Sequence, residues 1–150
     1  MNETQRWGTA WRTVALICLC AALWSCAGGQ QAPIEVRDVW SPAAPPGAST
    51  IAVYFEARAR AADALIGVST PLADQADVHA TTEVDGMMQM RPVARVDLPA
   101  RKTIKLAPGG MHVMLTGVHQ PLAAGAQFPL HLKFANAGEV DVTVIVKAPG

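Results

Sequence analysis

Two side-chain types able to hold a soft metal are crowded into one stretch of the chain. Setting Met1 aside, the other five methionines (Met87, Met88, Met90, Met111, Met114) fall between residues 87 and 114, with His79 just before that window and His112 inside it. A hydrophobic core would scatter its methionines. The order is His79, ten residues, Met90, twenty-one residues, His112, one residue, Met114. Strand residues two apart share a face, so His112 and Met114 would present an imidazole and a thioether side by side. Thioether is soft and uncharged and suits Cu(I), whereas Mg, Ca and Mn want hard oxygens and structural Zn takes thiolate and imidazole. The donor set therefore predicts copper. A blue-copper electron-transfer centre needs a Cys thiolate beside two His, and the only cysteines, Cys18, Cys20 and Cys26, lie far away near the N-terminus. That favours holding and passing on Cu(I) over cycling electrons. Imidazole binds metal only when neutral, so affinity is expected to fall below about pH 6. Thioether does not titrate and cannot be lost to disulfide formation in an oxidising compartment.

Neighbouring residues receive plainer assignments. Met88 shares the face of Met90 and is either a second, metal-proximal thioether or the hydrophobic wall of the site; we read it as wall. At least one of Met87, Met88 and Met90 is expected to face inward as ordinary packing. Met111 faces away from His112 and reads as core, as do Trp40 and Tyr54. His119, in a turn before Pro121, and His131, beside Lys133 on a polar strand face, read as solvated side chains. Asp74, Asp77, Glu83 and Asp85 read as solvated loop charges. No Ser/His/Asp arrangement or paired carboxylates stand out, so an enzyme is not expected.

The 150-residue chain is one domain's worth, and 12 basic against 12 acidic side chains leave no basic stripe for nucleic acid. Its N-terminus reads as an export leader over residues 1–25. Arg6 and Arg12 precede an apolar run from Val14 to Trp24 that is too short to span about 30 Å of hydrocarbon as a helix. The run ends in Leu23-Trp24-Ser25-Cys26, which resembles a bacterial lipobox and makes Cys26 the expected lipidation site. The alternative is ordinary cleavage after Ala27. Without the leader, 10 basic and 11 acidic residues remain, with Trp40 the only tryptophan. The expected product is a nearly neutral, cell-envelope or periplasmic domain, tethered to a membrane if Cys26 is acylated.

The elements that must position the His and Met residues read as strands. After a small polar tether over 26–33, Pro and Gly residues cut the segment 34–150 into short pieces. Period-two alternation puts Phe128, Leu130, Leu132 and Phe134 on one face, and Val140, Val142, Val144 and Val146 on another. Pro129 places its strand start or an edge there. The stretch Ala57–Ala64 reads as a loop, with a strand following at Leu65–Val68. Asp85-Gly86 predicts a tight hairpin turn between His79 and Met90, and Pro108-Gly109-Gly110 a turn just before His112. All four candidate ligands could then converge at one rim of an all-β sandwich.

The spacing His79, Met90, His112, Met114 matches the H-x10-M-x21-H-x-M signature of the periplasmic copper chaperone family called PCuAC. The words around it match as well. Met88-Gln89-Met90-Arg91-Pro92-Val93 resembles MxMRPV, and Pro108 to Leu115 resembles PGGxHxML. Pro121-Leu122 with Gly125, Phe128-Pro129-Leu130 and Ala137-Gly138-Glu139-Val140 resemble the family's closing strands. The likeness covers roughly Ile34 to Val146. It implies a cupredoxin-like Greek-key β-sandwich that binds Cu(I) at His79, Met90, His112 and Met114 without turnover. It also implies delivery toward cytochrome c oxidase, to the binuclear copper centre of subunit II or by way of a Sco-type thiol protein. The sequence departs from many members in having no Met between Ala80 and Asp85, and a second copper site on a His- and Met-rich tail is not expected. The competing readings are a copper-tolerance or storage lipoprotein, and a structural β-sandwich lipoprotein with incidental Met and His.

Overall fold

Short alternating segments between turn residues form ten strands in a computed structural model that describes residues 33–148. They are β1 (Ile34–Pro42), β2 (Thr50–Ala59), β3 (Asp63–Ser69), β4 (Ala73–Val84), β5 (Met87–Pro92), β6 (Val96–Leu98), β7 (Thr103–Leu106), β8 (Met111–Val118), β9 (Gln127–Phe134) and β10 (Gly138–Lys147). No helix occurs among the described residues. The expected leader, most of the tether and Cys26 lie outside them.

The strands run in the order β5-β4-β8-β2-β1-β10-β9-β3-β6, with β7 also pairing β2. Strand β2 is the corner of this path. Its first half, Thr50–Val53, pairs with β8, while Phe55–Arg58 pairs with β7. Strands β1 and β10 run parallel, which hairpins alone cannot produce, so the chain must cross over between them. The result is the cupredoxin-like Greek-key sandwich that the resemblance implied.

Alternation explains the core. Val53 and Phe55 from β2, Val113 and Leu115 from β8, and Val144 and Val146 from β10 are fully buried in one cluster, together with the β9 residues Phe128, Leu130, Leu132 and Phe134. Each large apolar side chain removed from water contributes about 1.5–3 kcal/mol. Burial of every second residue also fixes register, because a one-residue slip would turn the whole apolar row outward.

Two local expectations are corrected, and of the two places expected for Pro129 the unpaired edge is the one found. The stretch Ala57–Ala64 is not a loop: β2 continues through Ala59, β3 begins at Asp63, and only residues 60–62 connect them. Alanine has little strand preference of its own, yet Ala57 and Ala59 fill buried, inward positions of β2. Asp74, Asp77 and Glu83 sit on β4, and only Asp85 lies in a turn. The inward side of β4 is made of small or short residues such as Ala76, Val78 and Ala80, which hid its period. Pro129 lies inside β9, opposite Thr143, and does not begin the strand. Pairing with β3 covers only His131 to Phe134, and the Pro129 carbonyl instead accepts the Thr70 hydroxyl at 2.7 Å. The missing N–H thus falls where that ladder has already ended.

Candidate metal site

Strand register brings the candidate ligands to one face. His79 on β4 lies directly opposite His112 on β8, Asp77 lies opposite Met114, and Thr81 lies opposite Met90 on β5. Across the other side of β8, Ala52 of β2 lies opposite Met114. The residues between them, Val78, Val113 and Leu115, point into the core. Because neighbouring strand residues alternate, their burial forces His79, His112 and Met114 to the outer face.

Two turns complete the geometry. Asp85 and Gly86, at φ of 52° and 77°, form the two-residue β4–β5 hairpin loop, and these left-handed conformations are what the primed turns require. The hairpin runs on past the start of β8, where Ala80 meets Met111, so Thr81 and Met90 overhang the end of that strand. At the same end, the Ala107 carbonyl accepts the Gly110 N–H at 3.0 Å, with Pro108 and Gly109 (φ 79°) at the turn's centre. This is type II geometry, in which glycine supplies the positive φ. Between hairpin and turn lies an open cleft of about 380 Å³ whose lining includes Tyr54, Thr81, Met90, Gly109, His112 and Met114.

His112 is 7% exposed and held in place. Its Nδ1 lies 3.2 Å from the Gly110 carbonyl oxygen, which can only accept, so the proton sits on Nδ1 and the Nε2 lone pair is left to bind a metal. His79 does not line the cleft. Its ring stands beside that of His112, with centroids 6.2 Å apart, and its Nδ1 is buried without a hydrogen-bond partner. A buried nitrogen left unpaired costs free energy, so such atoms call for an explanation. At metal–nitrogen distances of about 2 Å in a tetrahedral site, two imidazoles on one ion have centroids about 5 Å apart. The two rings would therefore close by about 1 Å to share an ion.

No carboxylate, Lys or Arg lines the cleft. Asp77 is on the same face but exposed and outside the lining. Neutral imidazole and thioether donors, without hard oxygen anions, suit a soft monovalent ion better than Mg or Ca. The donor chemistry and the orphaned nitrogen both fit Cu(I).

The model of the family described as Putative lipoprotein LpqE-like matches residues 34–146. The chain belongs to that family. This LpqE-like chain is 29% identical over 121 residues to the putative lipoprotein Lxx21020 of Leifsonia xyli subsp. xyli, covering 80% of this chain and 73% of that one. Its fold is similar to the copper-bound PCuAC domain from PmoF2, with a TM-score of 0.65 and 26% identity over 78% of this chain and 94% of that domain. It is also similar to the Cu(I) form of DR1885 from Deinococcus radiodurans, with a TM-score of 0.63 and 33% identity over 81% of this chain and 83% of that one. The PCuAC resemblance carried by the motif words is thus matched by the backbone.

Several side chains of the LpqE-like domain sit elsewhere than the sequence suggested. Trp40 and Tyr54 are not core anchors. They are half-buried on the outer face, their rings 4.9 Å apart, and Tyr54 lines the cleft with its ring 6.3 Å from that of His112. Lys147 Nζ lies 5.0 Å from the centre of the Trp40 ring. Burial raises the Tyr54 pKa above its ordinary value. The cause of the Trp40 misplacement is a bulge in β1: Arg37 lies opposite Glu56 and Trp40 opposite Tyr54, so Asp38 and Val39 together face Phe55 alone. Asp38 takes a φ of 50° there, and the extra residue turns the next side chain to the other face. Tyr54 needed no such surprise, since Ile51, Val53 and Phe55 point inward and alternation sends Tyr54 out.

None of the β5 methionines is buried. Met87, Met88 and Met90 are 64%, 61% and 51% exposed. Met88 is on the face of Met90, exposed and outside the cleft lining. Met111 is half-buried against the core, as read. His119 and His131 are away from the cleft, within 2.8 Å of Asp74 and 2.6 Å of Asp141 respectively.

Proposed function

We propose that this protein is a cell-envelope Cu(I) carrier that holds the ion at His79, Met90, His112 and Met114 and passes it to an acceptor without turnover. The observation that carries the reading is the register of β4 and β8. It pairs His79 with His112 across two strands and sets Met114 on the same face, while the hairpin brings Met90 to the cleft. The copper-bound and Cu(I) forms named for the PmoF2 domain and DR1885 support it.

The division of labour follows from the donors. His112 is pre-oriented by Gly110, so its Nε2 meets the ion without reorganising. His79 gains a partner for a nitrogen that otherwise has none. The two thioethers favour Cu(I) over Cu(II), and an exposed Met90 on an overhanging hairpin is the ligand most accessible to an acceptor. The carrier's own ligands are neutral, so release of Cu(I) from it needs no electron and moves no proton on its side, while a thiol acceptor gives up its proton as it binds the ion.

The test is Cu(I) titration against a chromophoric chelator. One tight Cu(I) per chain is expected, lost when Met90→Leu and His112→Ala are combined; a double variant that competes as well as the parent refutes the site. For the acceptor, the reading is the copper centre of cytochrome c oxidase, through subunit II or a Sco-type protein. Mixing the loaded protein with each isolated acceptor domain should move copper to one of them, and retention by the carrier against both would refute that acceptor. Anchoring through lipid on Cys26 is supported by the lipobox and by the putative-lipoprotein descriptions of the family and its relative. Cys26→Ala should release the protein from the membrane fraction.

A further inference from the structure

Strand β5 carries three methionines, all more than half exposed, and the proposed copper site uses one of them. The β4–β5 register divides the other two. Thr81 lies opposite Met90 and Glu83 opposite Met88, so Met88 and Met90 share the outer face with His79. Val84 lies opposite Met87, on the other face. Along the outer face, donors therefore run from His112 and His79, through Met90, to Met88 nearest the hairpin tip. Met88 lies two residues from Met90, about 7 Å along the strand. That is within reach of two flexible thioether side chains exchanging one ion.

Packing does not account for Met88. It is 61% exposed and does not line the cleft, and a solvent-facing strand position gains little from an unbranched apolar side chain. What a thioether offers there, and leucine does not, is a soft, neutral donor.

We propose that Met88 is a transit ligand for Cu(I), binding the ion while it passes between Met90 and an acceptor. This rests on the copper reading above. In the step, a bond forms between Cu(I) and the Met88 sulfur as the bond to Met90 breaks. The bonds to His79, His112 and Met114 break as the acceptor's sulfur or nitrogen donors bind, and Met88 is displaced last. Copper stays Cu(I) throughout; the chain's own ligands in the exchange are uncharged and move no proton, and an acceptor thiol releases its proton as it binds. Met88 acts on the rate of transfer, while the four resident donors set the affinity.

Met87 supplies a matched control: the same residue type, adjacent, and 64% exposed, but on the opposite face. The experiment uses the full chain loaded with one Cu(I), as wild type, Met88→Leu and Met87→Leu. Transfer to a chromophoric Cu(I) chelator is followed by stopped flow, and affinity is read from equilibrium competition with the same chelator. Met88→Leu should slow transfer about fivefold or more while leaving affinity within about twofold. Met87→Leu should change neither. The proposal is overturned if Met88→Leu transfers at the parental rate, if Met87→Leu slows it equally, or if Met88→Leu loses as much affinity as Met90→Leu, which would make it a resident ligand. Failure of the wild type to take up stoichiometric Cu(I) would instead overturn the copper reading, and is seen before any rate is measured.

Discussion

His79→Phe is expected to make the metal-free protein more stable while destroying its copper site. The Nδ1 of His79 is buried and has no hydrogen-bond partner. Leaving such a group unpaired costs about 1–3 kcal/mol, and an apolar ring of similar shape removes that cost. Phenylalanine also suits a strand and can occupy the space beside the His112 ring, whose centroid is 6.2 Å away. A gain of about 1–2 kcal/mol corresponds to a rise in Tm of roughly 4–10 °C for a domain of this size. Copper reverses the ranking. A ligand that binds only the folded state adds about 2.7 kcal/mol when present at a hundred times its dissociation constant, and only the parent would receive it. Thermal unfolding with and without Cu(I), under reducing conditions, should therefore show crossed curves: the variant more stable without copper, the parent more stable with it. A metal-free variant no more stable than the parent would refute the idea that the His79 nitrogen is held unsatisfied for a ligand.

Asp63 supplies a prediction on stability and pH. Burial acts to raise its pKa, but backbone N–H groups, led by Asn136, Ala64 and Ala137, outweigh it and hold the carboxyl below its ordinary value of 3.8. Three of these bonds measure 2.7–2.9 Å, and the two from Asn136 and Ala137 tie the β9–β10 turn to the start of β3. A lowered folded-state pKa means the contribution is complete above 3.8 and fades as pH falls through the folded-state value. Asp63→Ala should cost roughly 2–4 kcal/mol at neutral pH by stranding those N–H groups, and Asp63→Asn should flatten the acid limb of stability against pH; an unchanged acid limb in denaturant melts would count against it. Trp40 provides an optical prediction, because its ring packs at a tilt against Tyr54, which in turn neighbours His112. Cu(I) binding should change the Trp40 emission, taken as the difference between parent and Trp40→Phe, and Tyr54→Leu should diminish that change; an equal response without the tyrosine would show that the ring row carries no signal.

How much of this site could be read from sequence depends on which physical rule each residue obeys. His112 and Met114 were legible because one strand's period of two fixes their relation, and that relation survives any arrangement of the other strands. His79 and Met90 were legible through turn chemistry, since Asp85-Gly86 and Pro108-Gly109-Gly110 determine which ends of β4, β5 and β8 coincide. What remained hidden were properties that depend on how far one strand outruns its neighbour. All three β5 methionines are exposed because the hairpin extends beyond Ala80, the last β4 residue opposite β8, and no local pattern encodes that overhang. Trp40 was misread for a different reason: a single extra residue at Asp38 inverts the faces of the strand that follows, and a large aromatic side chain is assigned to the core by default. Trp40, Met88 and Met90 lie on the outer face, where departures from regular pairing leave aromatic and thioether groups partly in solvent. A core obliges every residue to hide, and its pattern is easy to read. The proposed role of handing an ion on agrees with a site that breaks that pattern, its donors nearest solvent being the ones that alternation alone misplaces.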